Sequence, residues 1–268
     1  MIRKAVIPAA GFGKRMLPIT KAQPKEMLPV FDKPVIQYVL EEAYDAGIRD
    51  ILIITGKHKR TIEDHLDRGN FKTDFDDLLQ EMSIYYVRQR EQKGLGDAVR
   101  YAKAFVDDEP FALLLGDNIT IPNCTKLLLE KFKGKTLVAV EEVEKEKISS
   151  HGVIKGFEVE EGIFRVEEMV EKPEFDKAPS NLGIIGRYIL TPEIFEYLEM
   201  IKPGHGNELQ LTDALNLMCK EREVYAMLYN GKRYDIGNKL DWLKANIEIA
   251  LKDQEFGGVL KDWLSKIF

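Results

Sequence analysis

The chain has 268 residues, 44% of them apolar and 31% charged, with a formal net charge of -6. That balance excludes a disordered chain, and the acidic excess speaks against nucleic-acid binding, because such domains usually carry a basic surplus. The two cysteines, Cys124 and Cys219, show no metal-ligand spacing and suggest no disulfide framework. With no signal peptide and no long apolar run, the chain reads as a cytoplasmic protein with no membrane partner.

In chain order, Ala5–Ala9 reads as a short buried strand running into a long loop, and a helix is predicted over Pro34–Asp45, ended at Gly47. Ile51–Thr55 is the next strand, which makes a βαβ start and points to a parallel sheet. His58–Leu66 reads as a helix, and Asp64, Asp67, Asp74, Asp76 and Asp77 mark a solvated acidic stretch. Ile84–Arg88 reads as a strand, Gln89–Gly96 as a loop and Asp97–Phe105 as a helix. Phe111–Leu115 is a continuous apolar run, the pattern of a central strand buried on both faces. It ends in Gly116-Asp117, and ligands of open α/β sheets gather at strand carboxyl ends, where Asp117 would be a functional carboxylate.

The texture changes after residue 135. Thr136–Val143, Gly152–Val159, Ile163–Val170 and Asn181–Leu190 read as strands joined by charged turns, an antiparallel-leaning half. Helices follow over Pro192–Met200 and Leu209–Lys220, then a strand at Val224–Tyr229 and a helix over Leu240–Leu251. No flexible linker or internal repeat interrupts the chain, so residues 1–255 form one domain and 256–268 a tail. In that tail the pair Gly257-Gly258 breaks the preceding helix. Leu260, Trp263, Leu264, Ile267 and Phe268 then share one helical stripe. So short a helix needs a surface to dock on, and Trp263 and Phe268 are its expected anchors at a subunit contact.

The loop after the first strand concentrates unusual chemistry. Gly11 and Gly13 let backbone N–H groups turn into one concavity, and Lys14, Arg15, Lys21 and Lys25 add four cations. Pro18, Pro24 and Pro29 stiffen it, and a loop this long inside a compact domain is usually functional. It reads as a polyphosphate-binding loop. It is not a P-loop, since G-x-x-x-x-G-K-[ST] is absent, and Met16 stands where a dinucleotide fingerprint needs glycine or alanine.

This stretch, Pro8 to Pro29, resembles the signature of sugar-1-phosphate nucleotidylyltransferases, above all the bacterial and archaeal UTP–glucose-1-phosphate uridylyltransferases. The resemblance continues in order through Asp32–Tyr38, Glu41–Ala43, Lys93–Ala98, Leu115–Asn118, Val170–Pro173, Asn181–Gly183, Gln210–Leu215 and Gly231–Gly237. It implies a Rossmann-like α/β nucleotidyltransferase fold, a mixed, mainly parallel central sheet flanked by helices. A nucleotide-binding part would span about 1–135 and a smaller antiparallel sugar-binding part about 136–235. It also implies UTP and glucose-1-phosphate as substrates, Mg²⁺ as cofactor and a homo-oligomer.

Carried onto this sequence, the resemblance gives Asp117 and Asp235 the metal, Lys25 the transferring phosphate and Arg15 the departing pyrophosphate. Lys172 goes to the sugar phosphate and Glu171 to sugar hydroxyls, with Gly152 and Gly183 closing over the sugar; Asn181 and the 208–213 segment are further contacts. Gln89 and Gly94, with the backbone of Ala9, Ala10, Gly11 and Gly13, take the nucleotide. Lys14 stands where many relatives have a small hydroxyl residue, and His151 replaces a more usual aromatic beside Gly152. The other histidines, His58, His65 and His205, form no triad or metal cluster with it. Three other readings stay open: thymidylyl transfer, a nucleotide-sugar glycosyltransferase, and a non-catalytic sugar-nucleotide sensor. The second is disfavoured because Asp117-Asn118-Ile119 lacks its Asp-x-Asp.

Overall fold

The computed structural model describes residues 2–67 and 73–267. Nine strands make the main sheet: β1 Lys4–Pro8, β2 Asp50–Thr55, β3 Ser83–Arg88, β4 Phe111–Leu114, β5 Leu137–Glu142, β6 Gly152–Glu160, β7 Ile163–Glu171, β8 Leu182–Leu190 and β9 Tyr225–Leu228. Each matches a predicted strand to within one residue at either end. Their order is β3-β2-β1-β4-β8-β5-β9-β7-β6. The first four run parallel, whereas β8 enters antiparallel between β4 and β5, and β7 pairs antiparallel with both β9 and β6. The sheet is therefore mixed: four parallel strands make its first half, and in the second half β9 alone pairs parallel, with β5. The antiparallel half continues the same sheet, and a bridge from Gly183 to Val153 folds β6 back against β8, closing five strands into a ring.

Helices cover both faces, as alternation along the strands requires. Val6, Leu52 and Leu113 face the helices around Val99, Leu198 and Leu215, while Ile7, Ile53 and Leu114 face those around Val39, Leu40 and Leu128. The helix Cys124–Lys131 was not foreseen; Asn123 caps it by accepting from Lys126 N at 2.8 Å. The predicted helix Asp97–Phe105 is two pieces, Leu95–Arg100 and Lys103–Val106, because Tyr101 and Ala102 bond back three residues to Ala98 and Val99. A two-stranded ribbon, Asn118–Ile121 against Lys232–Asp235, was also not foreseen. It packs with Met16, Leu28 and Ala245 in a third core under the first loop.

The tail corrects one expectation. The preceding helix, Lys239–Ala250, ends before the glycine pair, and Gly257 opens the last helix, Gly257–Leu264. Gly257 is buried against Leu251, where a Cβ would come within 2.5 Å of the carbonyl oxygen. Trp263 is 56% exposed, so its own chain does not cover it; Phe268 lies outside the described residues. Among the described residues no helix is long and apolar enough to cross a membrane.

Candidate active site

The loop after β1 is tied down by its own backbone. Gly13 takes the left-handed conformation (φ 65°), which lets Met16 N donate to Gly13 O at 2.9 Å and starts a short 3-10 turn. Thr20 Oγ donates to the same carbonyl at 2.8 Å, and the Met16 side chain is fully buried beneath. A second and third turn, Ile19–Lys21 and Lys25–Met27, complete it. The loop overhangs a cleft of about 480 Å³ at the carboxyl ends of β1 and β4. Ala10, Gly11, Gly13, Lys14, Arg15 and Lys25 line it, while Lys21 does not. Ala9 follows the end of β1, donates its N–H to Ile54 O at 2.8 Å, is buried, and does not itself line the cleft.

Two carboxylates and two cations meet at the floor. Lys25 Nζ is hydrogen-bonded to Asp117 Oδ2, and Arg15 Nη1 lies 3.4 Å from Asp235 Oδ2. Asp117 and Asp235 are neighbours because the ribbon places Asp235 opposite Asn118, with Ile236 N donating to Asp117 O at 2.9 Å. Gly237 fixes how close they come. A Cβ there would sit 2.9 Å from Asp235 Oδ1, 3.2 Å from Asp117 Oδ2 and 2.6 Å from Arg15 Nη2, so the cradle between these groups admits no side chain.

Electrostatics follow from this packing. Burial alone would raise the Asp117 pKa, but Lys25 and Arg15 hold the carboxyl below its ordinary value. Burial works against the charge on Lys25, yet Asp117, Glu26 and Asp235 outweigh it and keep the ammonium firmly protonated. Behind Lys25, Glu26 is 1% exposed and pairs with the buried Lys59 at 2.7 Å. Burial pushes the Glu26 pKa up against the pull of Lys59 and Lys25, and its Oε1 has no hydrogen-bond partner. A buried acceptor without a donor is costly, and this one belongs to a cleft residue that a bound donor could satisfy.

At the other end of the cleft, Gln89 is buried, and its amide nitrogen donates to Asp97 Oδ2 at 2.7 Å and Gly94 O at 3.2 Å. That leaves the carbonyl oxygen as its acceptor for a ligand. Gly94 has φ 108°, and a Cβ would lie 2.5 Å from Leu209 O, so the 208–209 segment packs directly onto this loop and brings Glu208 to the cleft.

The residues expected to hold the sugar gather on the strand ring. Gly152 sits opposite Glu171, and its Cβ would come 2.9 Å from Thr212 Oγ and 3.1 Å from Glu171 Oε2. Glu171 accepts from Thr212 Oγ at 2.6 Å and pairs with Lys172 Nζ at 3.0 Å. Lys172 has φ 45°, a left-handed conformation that costs a non-glycine residue energy and that clusters at functional sites. Gly183 faces His151, where a Cβ would be 3.3 Å from the ring.

Several contributors escaped the sequence reading. Gln92 and Glu26 line the cleft, and Glu26 stood inside the quoted motif with an acidic residue among cations as its only signal. Arg187 is fully buried. It donates to Glu42 (2.7–3.1 Å), Asn118 O (2.7 Å) and Leu115 O (3.2 Å), bracing the turn that carries Asp117. Glu42 is satisfied in turn by Thr125 N and Oγ at 3.1 and 2.6 Å. Nothing in the spacing of residues 42, 118 and 187 announces this network.

Known proteins share this fold along nearly the whole chain. The profile of the nucleotidyl transferase family matches residues 4–252. A UTP–glucose-1-phosphate uridylyltransferase of Staphylococcus haemolyticus is 50% identical, aligned over 99% of this chain and 96% of its own length. Its namesake in Staphylococcus epidermidis is 48% identical over 99% and 98%. The crystal structure of a UDP-glucose pyrophosphorylase complexed with UDP-glucose superposes with a TM-score of 0.89 at 44% identity, over 94% of this chain and all of that one. A glycine-turned basic loop over paired carboxylates, on a sheet shared with such relatives along its length, thus places the chain in the nucleotidyl transferase family, as an enzyme of the uridylyltransferase kind.

Proposed function

We propose that the protein transfers the uridylyl group of UTP to glucose-1-phosphate, releasing pyrophosphate and forming UDP-glucose, with Mg²⁺ as cofactor. The observation that carries this reading is the double ion pair at Gly237: two cations of the first loop, each resting on a carboxylate, at the floor of the cleft. Mg²⁺ commonly takes one or two carboxylates and fills its shell with phosphate oxygens and water. Asp117 and Asp235 converge on one cradle, and no group of three or more His, Cys, Asp or Glu suited to a metal occurs among the described residues. This donor set fits a cation that arrives with a polyphosphate; when bound it would supply Lewis-acid polarisation.

In this reading the nucleotide phosphates draw Lys25 and Arg15 off the carboxylates. Lys25 then offsets charge at the α-phosphorus and Arg15 at the departing pyrophosphate. Lys172 holds the sugar phosphate and Glu171 accepts from sugar hydroxyls. An oxygen of the sugar phosphate bonds to the α-phosphorus while the bond to the bridging oxygen of pyrophosphate breaks. The cleft is lined by no Ser, Thr, Cys or His side chain among the described residues, which favours direct displacement over a covalent intermediate. The Gln89 carbonyl accepts from the ring N–H that uracil and thymine share, so thymidylyl transfer to dTDP-glucose is the second reading.

Pyrophosphate release across a panel of nucleoside triphosphates and sugar-1-phosphates tests the assignment. UTP with glucose-1-phosphate should give the highest kcat/KM; a preference for dTTP moves the reading to thymidylyl transfer, and no release with any pair makes the protein a sensor. The bare stripe of Val259, Trp263 and Ile267 further supports a homo-oligomer. Ending the chain at Gly257 should lower the mass seen by light scattering; an active protein of unchanged mass removes the tail from the interface.

A further inference from the structure

The strand Lys232–Asp235 carries a second side chain on the same face as Asp235, because residues two apart along a strand point the same way. That residue is Arg233, and it is largely buried. Its Nε and Nη2 donate to Glu141 Oε1 at 2.9 and 2.6 Å, its Nη1 to Asn118 Oδ1 at 3.2 Å, and its Nη2 also faces His151 Nε2 at 2.8 Å. The guanidinium thus joins three places: Asn118, beside Asp117; Glu141, at the end of β5; and His151, beside Gly152.

The contact to His151 has a defined direction. His151 Nδ1 lies 3.0 Å from Lys147 O and 3.1 Å from Ser150 Oγ, whose own proton goes to Lys147 O at 2.7 Å, while Nε2 faces a guanidinium that only donates; this assigns the proton to Nδ1 and turns the Nε2 lone pair to Arg233. Burial, reinforced by the neighbouring guanidinium, favours this neutral form. His151 is in turn built into the sugar wall. Its carbonyl accepts from Lys172 N at 2.9 Å, it precedes Gly152 in the chain, and its ring lies against Gly183.

We propose that Arg233 is a positioning residue that sets the sugar wall in register with the carboxylates Asp117 and Asp235, through His151. The inference rests on the transfer reading above, since it concerns the alignment of the sugar phosphate with the α-phosphorus. The two reactants are held by different parts of the sheet, and in-line attack tolerates little error between them; a displacement of roughly 1 Å can cost about a hundredfold in rate. Only a planar fork can donate in these three directions at once. A lysine keeps the charge and loses the geometry.

The experiment compares Arg233→Lys, His151→Leu and His151→Gln with the wild type, reading KM for each substrate, kcat, and Mg-UTP binding by calorimetry. Arg233→Lys should raise KM for glucose-1-phosphate and lower kcat, by roughly tenfold to a hundredfold together, while Mg-UTP affinity stays within about twofold. His151→Leu, which removes the acceptor, should change the same parameters in the same direction. His151→Gln, which restores an acceptor near Nε2, should recover most of the loss. The Arg233→Lys/His151→Leu double variant should be no worse than Arg233→Lys alone, since both cut one link.

Unchanged KM for glucose-1-phosphate, an equal loss of Mg-UTP binding, or additive losses would each overturn the proposal and leave Arg233 a merely structural residue. If Arg233→Lys does not fold, the two His151 variants decide alone. Should the wild type prefer another nucleotide or sugar phosphate, the same comparison runs with that pair, so failure of the substrate reading and failure of the Arg233 assignment remain separate results.

Discussion

The stretch from Ala9 to Leu28 closes on itself through bonds such as Met16 N to Gly13 O and Thr20 Oγ to Gly13 O, and it places Arg15 and Lys25 from one continuous piece of chain. The wall proposed to hold the sugar draws Gly152, Glu171, Gly183 and Thr212 from separate segments and joins them through strand register and single side-chain contacts. The first region is stiffened locally, by turns, proline and a buried methionine. The second depends on long-range agreement between strands, and small errors there accumulate. Charge differs as well: the loop brings cations to partly buried carboxylates, whereas the wall pairs Glu171 with Lys172 next to it and leaves Asp213 with a pKa raised by burial and by the Glu171 carboxylate.

The sharpest way to break this contrast is below both regions. Arg187→Met strands the Glu42 carboxylate in a dry interior, and such a break should cost about 3–5 kcal/mol, read as a lower urea midpoint. A loss under about 1 kcal/mol would mean that water reaches Glu42 and that the turn at Asp117 has other support.

Next is the nucleotide end. Lys25→Ala should cut kcat by roughly a hundredfold to a thousandfold and change KM for UTP much less, because its charge acts most on the transition state. Equal changes in both constants would make Lys25 a ground-state binder, and the loop a passive cradle.

The smallest effect belongs to the wall. His151 is held below its ordinary 6.5, mainly by burial. Between its folded value and 6.5 the unfolded chain binds more protons than the folded one, so stability rises with pH in that window and falls on acidification. Between pH 7 and pH 5.5 the wild type should lose about 1 kcal/mol or less from this source, and His151→Gln should lose less than the wild type over the same range. An identical pH slope in both proteins would take His151 out of the buried network.

This contrast also explains what the sequence disclosed. Every main strand was legible, because apolar runs such as Phe111–Leu114 state their own burial and charged turns mark where the others end. The loop was legible because its glycines, prolines and cations are adjacent. Glu42–Arg187 and Arg233–His151 were not, since each joins residues far apart and each side chain alone looks like a surface charge. The ribbon was missed for a related reason: Asn118–Ile121 and Lys232–Asp235 are too short to show a pattern, and only their pairing brings Asp117 to Asp235. Gly237 stood in a quoted motif, but its role as the empty centre of the cradle depends on where both carboxylates point.

The proposed transfer is a single direct displacement between two reactants held by these two regions, with no protein atom bonded to phosphorus. The most direct measurement uses one diastereomer of UTP carrying sulfur on the α-phosphorus, with glucose-1-phosphate and Mg²⁺, and assigns the product's configuration by phosphorus NMR. Inversion at that phosphorus is the expected result. Retention would require two displacements and a nucleotidylated side chain, and would contradict the account.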